Sequence, residues 1–262
     1  MKLLKSSRDV AKSKSTRRHV AKALRQIDFK ATAVEPLGED ARGSVPFTAT
    51  NGRKEVFIKV VNRRNVMADW AFKMWRRAVY HNLEDEVPYL SPKQALAHEA
   101  YVSSLASDAG VHTPTILGVL DLKDFQFGLV EQKLDAEPLS KVKRKQLTDT
   151  VLRKVWREVA ILHEARIAHR DLRVANILLD NKNTPWIIDF DFGTITATPK
   201  NMIRDNVELL VSLSTLVGAK RAVDASRIAL KERDYRLLLP FLQSLNQWHL
   251  KQKIKFFITF IL

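Results

Sequence analysis

The alternation of apolar and polar positions predicts strands in the first half of the chain. Residues 54–62 (KEVFIKVVN) are rich in β-branched and aromatic residues. Their two alternating sets are Val56, Ile58 and Val60, and Phe57, Lys59 and Val61. Asn51-Gly52 precedes this run, and that dipeptide is a strong signal for a tight turn. The pattern therefore predicts a hairpin whose first arm lies near residues 44–50.

Helical spacing of apolar residues appears further along the chain. It predicts helices over residues 67–80, 91–110 and 147–166, and a mainly helical region beyond Thr194 that is clearest over residues 206–223. Strands are predicted over residues 112–122 and 125–134. The order indicates an α+β protein in which a strand-rich part, roughly residues 25–135, leads into a helical part.

Four oxygen-bearing side chains surround a second predicted hairpin. Its arms, residues 176–180 and 185–190, flank a polar turn. The four residues are Asp171, Asn176, Asp189 and Asp191. Carboxylate and amide oxygens suit Mg²⁺ rather than zinc, and Mg²⁺ usually borrows phosphate oxygens as further ligands. The hairpin therefore predicts a nucleotide-phosphate site.

Composition narrows the classes of protein. A chain of 262 residues with 45% hydrophobic content can bury a core, and the absence of cysteine excludes disulfides and thiolate zinc sites. The first residues, MKLLKSSRDVAKSKSTRR, lack the apolar run of a secretory signal. We therefore expect a cytoplasmic location, with the inner face of the membrane as a further possibility.

Charge and hydropathy set the two ends apart from the middle. The net charge of +15 is partly local, because residues 2–30 hold ten Lys and Arg residues against only Asp9 and Asp28. This basic segment suits a phosphate-rich partner, either nucleic acid or an anionic membrane face, or else forms a solvated tail. We do not expect a nucleic-acid partner, because no aromatic residues interleave with these charges. At the other end, KIKFFITFIL is too short to span a bilayer. It either docks on the protein or begins a membrane helix.

Two motifs resemble the protein-kinase-like superfamily. HRDLRVAN, residues 169–176, is similar to the catalytic loop of that superfamily, and IIDFDFG, residues 187–193, is similar to its metal-binding loop. The interval from Asn176 to Asp189 is also the usual one. The resemblance covers about residues 35–240 and implies a two-lobe fold with a small antiparallel-sheet N-lobe and a mainly helical C-lobe. The predicted parts are 1–30, a basic segment; 31–135, the N-lobe; 136–250, the C-lobe; and 251–262, an apolar stub.

The resemblance also implies roles for residues of the second lobe. Asp171 would accept or orient the proton of the acceptor hydroxyl, and Arg173 would face the γ-phosphate of ATP. Asn176 and Asp189 would hold Mg²⁺. Asp191 competes with Asp189 because it directly precedes Phe192-Gly193, and the spacing from Asn176 favours Asp189, with Asp191 as an auxiliary ligand.

In the first lobe, the resemblance implies a nucleotide-binding set. Lys59 would contact the α- and β-phosphates, held by an ion pair with Glu99. Gly38 and Gly43 would belong to the phosphate-covering loop. Backbone groups of the hinge-like segment would face adenine, and its residues are Glu131, Gln132, Lys133 and Leu134.

Three departures from the superfamily pattern modify the expected activity. Only Gly38 and Gly43 remain of the usual glycine-rich loop, and Phe57 stands where a small alanine is usual. No A-P-E motif follows Gly193, and about ten residues separate the metal loop from the RDNVELL helix, too few for a peptide-docking segment. The expected function is an ATP- and Mg²⁺-dependent phosphotransferase that acts on a hydroxyl of a non-peptide acceptor. The alternative is a nucleotide-binding pseudokinase without turnover.

A narrower resemblance concerns three segments: WRRAVYHN, residues 75–82; the run from Glu86 to Val119; and RDNVELLVSLSTLVGAKRAV, residues 204–223. These segments are similar to bacterial kinase-like cytoplasmic domains that precede a flippase-like or lysylphosphatidylglycerol-synthase-like membrane region. This resemblance implies a membrane-embedded partner region and a chain that is part of a larger protein.

Overall fold

A computed structural model describes residues 14–37, 44–62, 91–123 and 126–245. The predicted helix 67–80, Gly38 and Gly43, and the predicted C-terminal stub lie outside these ranges. The chain divides into two compact units. The first comprises residues 1–101 and 115–133, and the second comprises residues 102–114 and 134–262.

The first unit is built on an antiparallel sheet. Its strands are β1 (Ala33–Pro36), β2 (Val45–Thr50), β3 (Glu55–Asn62), β4 (Ile116–Asp121) and β5 (Gln126–Gln132), in the order β1-β2-β3-β5-β4. The predicted hairpin is confirmed, because β2 pairs antiparallel with β3 and Pro46 lies opposite Lys59. Asn51 ties the turn by accepting hydrogen bonds from the backbone N–H groups of Arg53 and Lys54.

A basic, amphipathic helix packs on this sheet. It is α1 (Lys14–Ala23), which continues into a short 3₁₀ helix, Leu24–Ile27. Val20 and Leu24 are fully buried in one cluster with Phe47 and Ile58 of the sheet. Residues 14–27 are therefore a packed part of the first unit, not the solvated tail that their charge allowed.

A second apolar cluster of the first unit involves the helix α2 (Pro92–Asp108). There Leu96 packs with Val61 and Leu129 of strands β3 and β5. The helix predicted over residues 91–110 is thus confirmed.

The second unit is mainly helical. Its helices are α3 (Asp149–Glu164), α4 (Pro199–Val217), α5 (Ala219–Ser226) and α6 (Glu232–Leu245), and its small sheet consists of β6 (Ala136–Pro138), β7 (Ile177–Asp180) and β8 (Pro185–Ile187). The core centres on buried side chains such as Trp156 and Phe190. The α+β class with a sheet in the N-terminal part and helices in the C-terminal part is therefore confirmed.

Helix α4 begins and ends at clear signals. Thr198 and Asn201 form a capping box at its start, and Pro199 occupies the first turn. Gly218, at φ 88°, ends the helix and separates it from α5. The helical pattern over residues 206–223 is therefore divided between two helices, α4 and α5. Among the residues that the structure describes, no helix has the length and hydropathy needed to cross a membrane.

Candidate active site

In the loop before β7, two predicted site residues donate hydrogen bonds to the carboxylate of a third, Asp171. Arg173 donates a hydrogen bond from Nη2 to Asp171 Oδ2 at 2.7 Å. The buried Asn176 donates from Nδ2 to the same oxygen at 3.1 Å and to the Asp171 carbonyl oxygen at 2.9 Å. Asp171 keeps 17% of its side chain exposed, so its carboxylate is oriented on one side and reachable on the other.

Arg173 is a permanent cation in this loop. Burial lowers its pKa, but the hydrogen bond from its side chain to Asp171 and the negative charges of Asp171, Glu208 and Asp189 outweigh burial and raise the pKa above its usual value. A guanidinium fixed beside a carboxylate in this way can stabilise negative charge that develops nearby.

A buried carboxylate from α4 fixes the start of the loop. Asp205 is 0% exposed and accepts hydrogen bonds from the backbone N–H groups of His169 at 2.7 Å and Arg170 at 2.6 Å. It also lies 3.2 Å from Nε2 of His163 on α3. Arg170 has φ 65°, a conformation that L-residues rarely adopt without support. Asp205 supplies that support one residue before Asp171.

Two further residues of α4 hold the rest of the loop. Glu208 accepts a hydrogen bond from the Leu172 N–H at 3.1 Å and is itself bonded by Arg204. Ser212 accepts from the Val174 N–H at 3.3 Å. One face of the helix thus binds backbone groups on both sides of Asp171.

The imidazole of His169 joins this loop to the next one. The ring is fully buried, and its Nε2 donates to the carbonyl oxygen of Ile188 at 2.8 Å, while Nδ1 accepts from the Asp171 N–H at 3.3 Å. The ring also packs against Phe190, with ring centroids 4.8 Å apart. His169 therefore braces the two loops.

The hairpin places Asp189 next to Asn176 along the backbone ladder. Ile177 lies opposite Ile187, and the Ile188 N–H donates to the Asn176 carbonyl oxygen at 3.0 Å. Asp189 follows directly at φ 69°, a strained conformation of the kind that often occurs at functional sites. Asp191 lies two residues further, within the turn that the Gly193 N–H closes on the Phe190 carbonyl oxygen.

The donor chemistry of the second unit fits a magnesium ion. Asn176, Asp189 and Asp191 supply an amide oxygen and carboxylates, which are hard ligands of the type that Mg²⁺ prefers. Asn176 directs its Nδ2 toward Asp171, so its amide oxygen is the atom available for a cation.

In the first unit, Lys59 and Glu99 form a buried ion pair. Lys59 Nζ lies 2.8 Å and 3.0 Å from the two carboxylate oxygens of Glu99. The Lys59 side chain is 12% exposed and that of Glu99 is 3% exposed. Phe57 lies two residues earlier on β3 and is half-buried. Lys59 is thus oriented by its partner.

The predicted adenine-facing segment, Glu131 to Leu134, lies at the end of β5 and just after it. Glu131 and Gln132 end β5, and the Gln132 N–H donates to the Thr115 carbonyl oxygen at 2.9 Å. Lys133 and Leu134 follow, at the point where the chain passes from the first unit to the second.

Sequence reasoning missed the three loop-binding residues of α4. Asp205 lies four, eight and twelve residues before Leu209, Leu213 and Val217, which are all buried. An acid on such an apolar stripe needs a buried partner. That signal was available for Asp205, whereas nothing in the sequence distinguishes Glu208 and Ser212 from surface residues.

Comparison with known proteins agrees with this site. A family model described as a protein kinase domain matches residues 126–218, which include the loop of Asp171 and the hairpin. The match, the fold and the loop all support a likeness of the chain to the protein-kinase-like superfamily.

Several similar curated proteins carry the name 3-deoxy-D-manno-octulosonic acid kinase. The chain is 30% identical to the protein of Vibrio parahaemolyticus over 144 residues, which is 53% of this chain and 58% of that protein. It is 33% identical to the protein of Vibrio cholerae over 89 residues, 32% of this chain and 38% of that protein. It is 28% identical to the protein of Xylella fastidiosa strain 9a5c over 97 residues, which is 37% of this chain and 39% of that protein. The chain thus spans between about two fifths and three fifths of these relatives' lengths.

Proposed function

We propose that this chain is an ATP- and Mg²⁺-dependent phosphotransferase that transfers the γ-phosphate to a hydroxyl of a sugar acid. The observation that carries the proposal is the hydrogen-bonded set of Asp171, Arg173 and Asn176, on a loop whose backbone α4 holds. Phosphoryl transfer depends mainly on positioning and on charge stabilisation, and this loop supplies both.

Each residue of the loop has a distinct role in the proposal. Asp171 orients the acceptor hydroxyl and accepts its proton, since its carboxylate is held by two donors and remains partly exposed. Arg173 stabilises the charge of the transferred group. Asn176 and Asp189, with Asp191 as an auxiliary ligand, would hold Mg²⁺, which neutralises phosphate charge when it is bound.

The nucleotide-binding residues belong to the first unit. Lys59 binds the α- and β-phosphates, and Glu99 keeps its ammonium group in place. Backbone groups of the segment from Glu131 to Leu134 bind adenine, and Gly38 and Gly43 cover the phosphates. These roles rest on the resemblance of the motifs, together with the observed Lys59–Glu99 pair.

Two observations support a small, non-peptide acceptor. The chain between Gly193 and the start of α4 comprises only residues 194–198, so it is even shorter than the sequence suggested. The similar curated proteins are named as kinases of 3-deoxy-D-manno-octulosonic acid, an acidic sugar. We therefore propose an acceptor of that class. The pseudokinase alternative is not favoured, since these relatives are named as kinases and the Asp171 loop is complete.

An acceptor panel tests the proposal. The purified chain is incubated with Mg-ATP and 3-deoxy-D-manno-octulosonic acid, a neutral hexose or a serine-rich polypeptide, and the products are analysed by mass spectrometry. We expect a phosphate to be added to the sugar acid alone and the addition to stop when EDTA removes the metal. Phosphorylation of the polypeptide in preference to both sugars would contradict the proposed acceptor class.

A further inference from the structure

The outer face of α1 carries a group of basic side chains. Thr16, Val20 and Ala23 of this helix are buried against the sheet. Arg18 and Lys22 lie on the opposite, exposed side, and Arg25 of the following 3₁₀ helix extends that side by one turn. With Lys30, these three residues line an open groove of about 630 Å³, which we call the basic groove. Its other lining residues are Ala21 and Ala31.

The charge of the basic groove is uncompensated. No acidic residue lines it. Within the part of the chain that the structure describes, its four cations have no hydrogen-bond or ion-pair partner. The neighbouring Arg17, by contrast, pairs with Glu35 at 3.0 Å. Like charges held close together repel one another, and binding of an anionic partner would relieve that repulsion.

The groove is preformed by the packing of α1. Val20 and Leu24 are 0% exposed and fix the helix on the first unit's core. The cations therefore need no folding step to come together, which lowers the entropic cost of binding. Burial of Val20 and Leu24 thus also keeps the basic face of α1 exposed to solvent.

We propose that the basic groove docks this protein on an anionic membrane surface. The groove contains no aromatic side chain on which nucleic-acid bases could stack, so a nucleic acid is the poorer match. In the sequence, four further basic residues precede α1, namely Lys2, Lys5, Arg8 and Lys12, and clusters of basic residues are attracted to anionic lipids. A second membrane-type feature of the sequence is the apolar run FFITFIL that follows Lys253 and Lys255. The proposal is independent of phosphotransfer, because none of these residues belongs to the proposed active site.

Vesicle co-sedimentation of the full chain tests this proposal. The probes are vesicles of phosphatidylcholine alone and vesicles of phosphatidylcholine mixed with phosphatidylglycerol. The test variant is Arg18→Gln/Lys22→Gln/Arg25→Gln. The matched control is Lys141→Gln/Lys143→Gln/Lys145→Gln, which removes the same charge from exposed positions of the second unit.

We expect the wild-type chain to sediment with the phosphatidylglycerol vesicles only and to be released by salt. The α1 variant should bind about a hundredfold more weakly, given the usual contribution of each basic residue at an anionic surface. The control variant should bind like the wild type, and all three proteins should show the same thermal unfolding and the same phosphotransfer in solution. Equal vesicle binding by the two variants, no binding by the wild type, or competition by duplex DNA at far lower phosphate concentration would overturn the proposal.

Discussion

At the scale of single residues, one buried carboxylate organises the candidate active site. Asp205 satisfies two backbone N–H groups that are inaccessible to water and lies beside His163. Buried N–H groups are almost always paired, and leaving one without an acceptor costs about 1 to 3 kcal/mol. The conformation of the residues before Asp171 therefore depends on a side chain from a distant helix.

Replacing Asp205 by alanine should consequently damage both stability and activity. We expect Asp205→Ala to lower the free energy of unfolding by about 3 kcal/mol, since two buried donors lose their acceptor. The turnover number should fall more than the affinity for ATP, because Lys59 and Glu99 are untouched. Chemical denaturation and steady-state kinetics measure the two effects. Asp224→Ala, which removes an exposed carboxylate paired with Lys220, should change stability by less than about 0.5 kcal/mol.

The Lys59–Glu99 pair allows structure and function to be separated. Lys59→Met leaves the Glu99 carboxylate buried without its partner, so we expect a loss of about 3 to 5 kcal/mol in the free energy of unfolding. Lys59→Met/Glu99→Leu removes both charges and should recover most of that stability. If Lys59 binds nucleotide phosphates, neither variant should be stabilised by Mg-ATP in a thermal unfolding assay. If Mg-ATP stabilised the double variant as much as it stabilises the wild type, Lys59 would have only a structural role.

At the scale of elements, the β7–β8 hairpin is held by the carboxylate at its turn. Asp180 accepts hydrogen bonds from the N–H groups of Lys182 and Thr184 and from Nε1 of Trp186. Burial raises the pKa of Asp180, but these hydrogen bonds and the charge of Lys182 outweigh it, so the net shift is downward. The turn thus fixes the end of the hairpin opposite to Asn176.

The lowered pKa of Asp180 gives a pH-dependent contribution to stability. The ionised form is favoured in the folded protein, so the contribution is complete above the unfolded pKa of about 3.9 and is lost as the pH falls through the lower folded value. The difference in unfolding free energy between the wild type and Asp180→Asn should be constant from about pH 7 to pH 5 and should shrink below about pH 4. Urea denaturation at several pH values measures it, with Glu137→Gln on β6 as the exposed control. If the difference in unfolding free energy between the two proteins did not vary with pH, stabilisation of the turn by ionised Asp180 would be ruled out.

The elements differ in how far the sequence could predict them. The hairpin of β2 and β3 was predictable because Asn51-Gly52 and strict alternation act locally. The packing of α1 was not predicted, because its charge obscured the apolar spacing of Val20, Ala23 and Leu24. The break between α4 and α5 was marked by Gly218, but a glycine inside a helical pattern does not reveal by itself that the backbone turns to positive φ there.

The candidate site was predictable only as far as its motifs reach. Asp171, Asn176 and Asp189 were recognisable from letters at fixed spacing. The hydrogen bonds from α4 to the loop join residues 35 to 38 positions apart, and such contacts depend on tertiary packing that no local pattern encodes.

At the scale of the whole molecule, the chain combines a unit that contains the proposed nucleotide-binding residues, a unit that contains the proposed catalytic loop, and a strong positive charge. The Lys59–Glu99 pair belongs to the first unit, and the Asp171 loop belongs to the second. The net charge of +15 favours association with anionic partners, and both the proposed acidic acceptor and the proposed membrane surface are anionic. Charge therefore links the two proposals without making either depend on the other.

The most direct test of the account is a single-turnover measurement of phosphate transfer from γ-labelled ATP to 3-deoxy-D-manno-octulosonic acid, with wild type and Asp171→Asn compared. We predict that the variant retains the wild-type unfolding temperature and the same stabilisation by Mg-ATP, while the rate of transfer falls by about 10² to 10⁴. Transfer at an unchanged rate by Asp171→Asn, or no transfer by a wild type that binds Mg-ATP, would contradict the central claim.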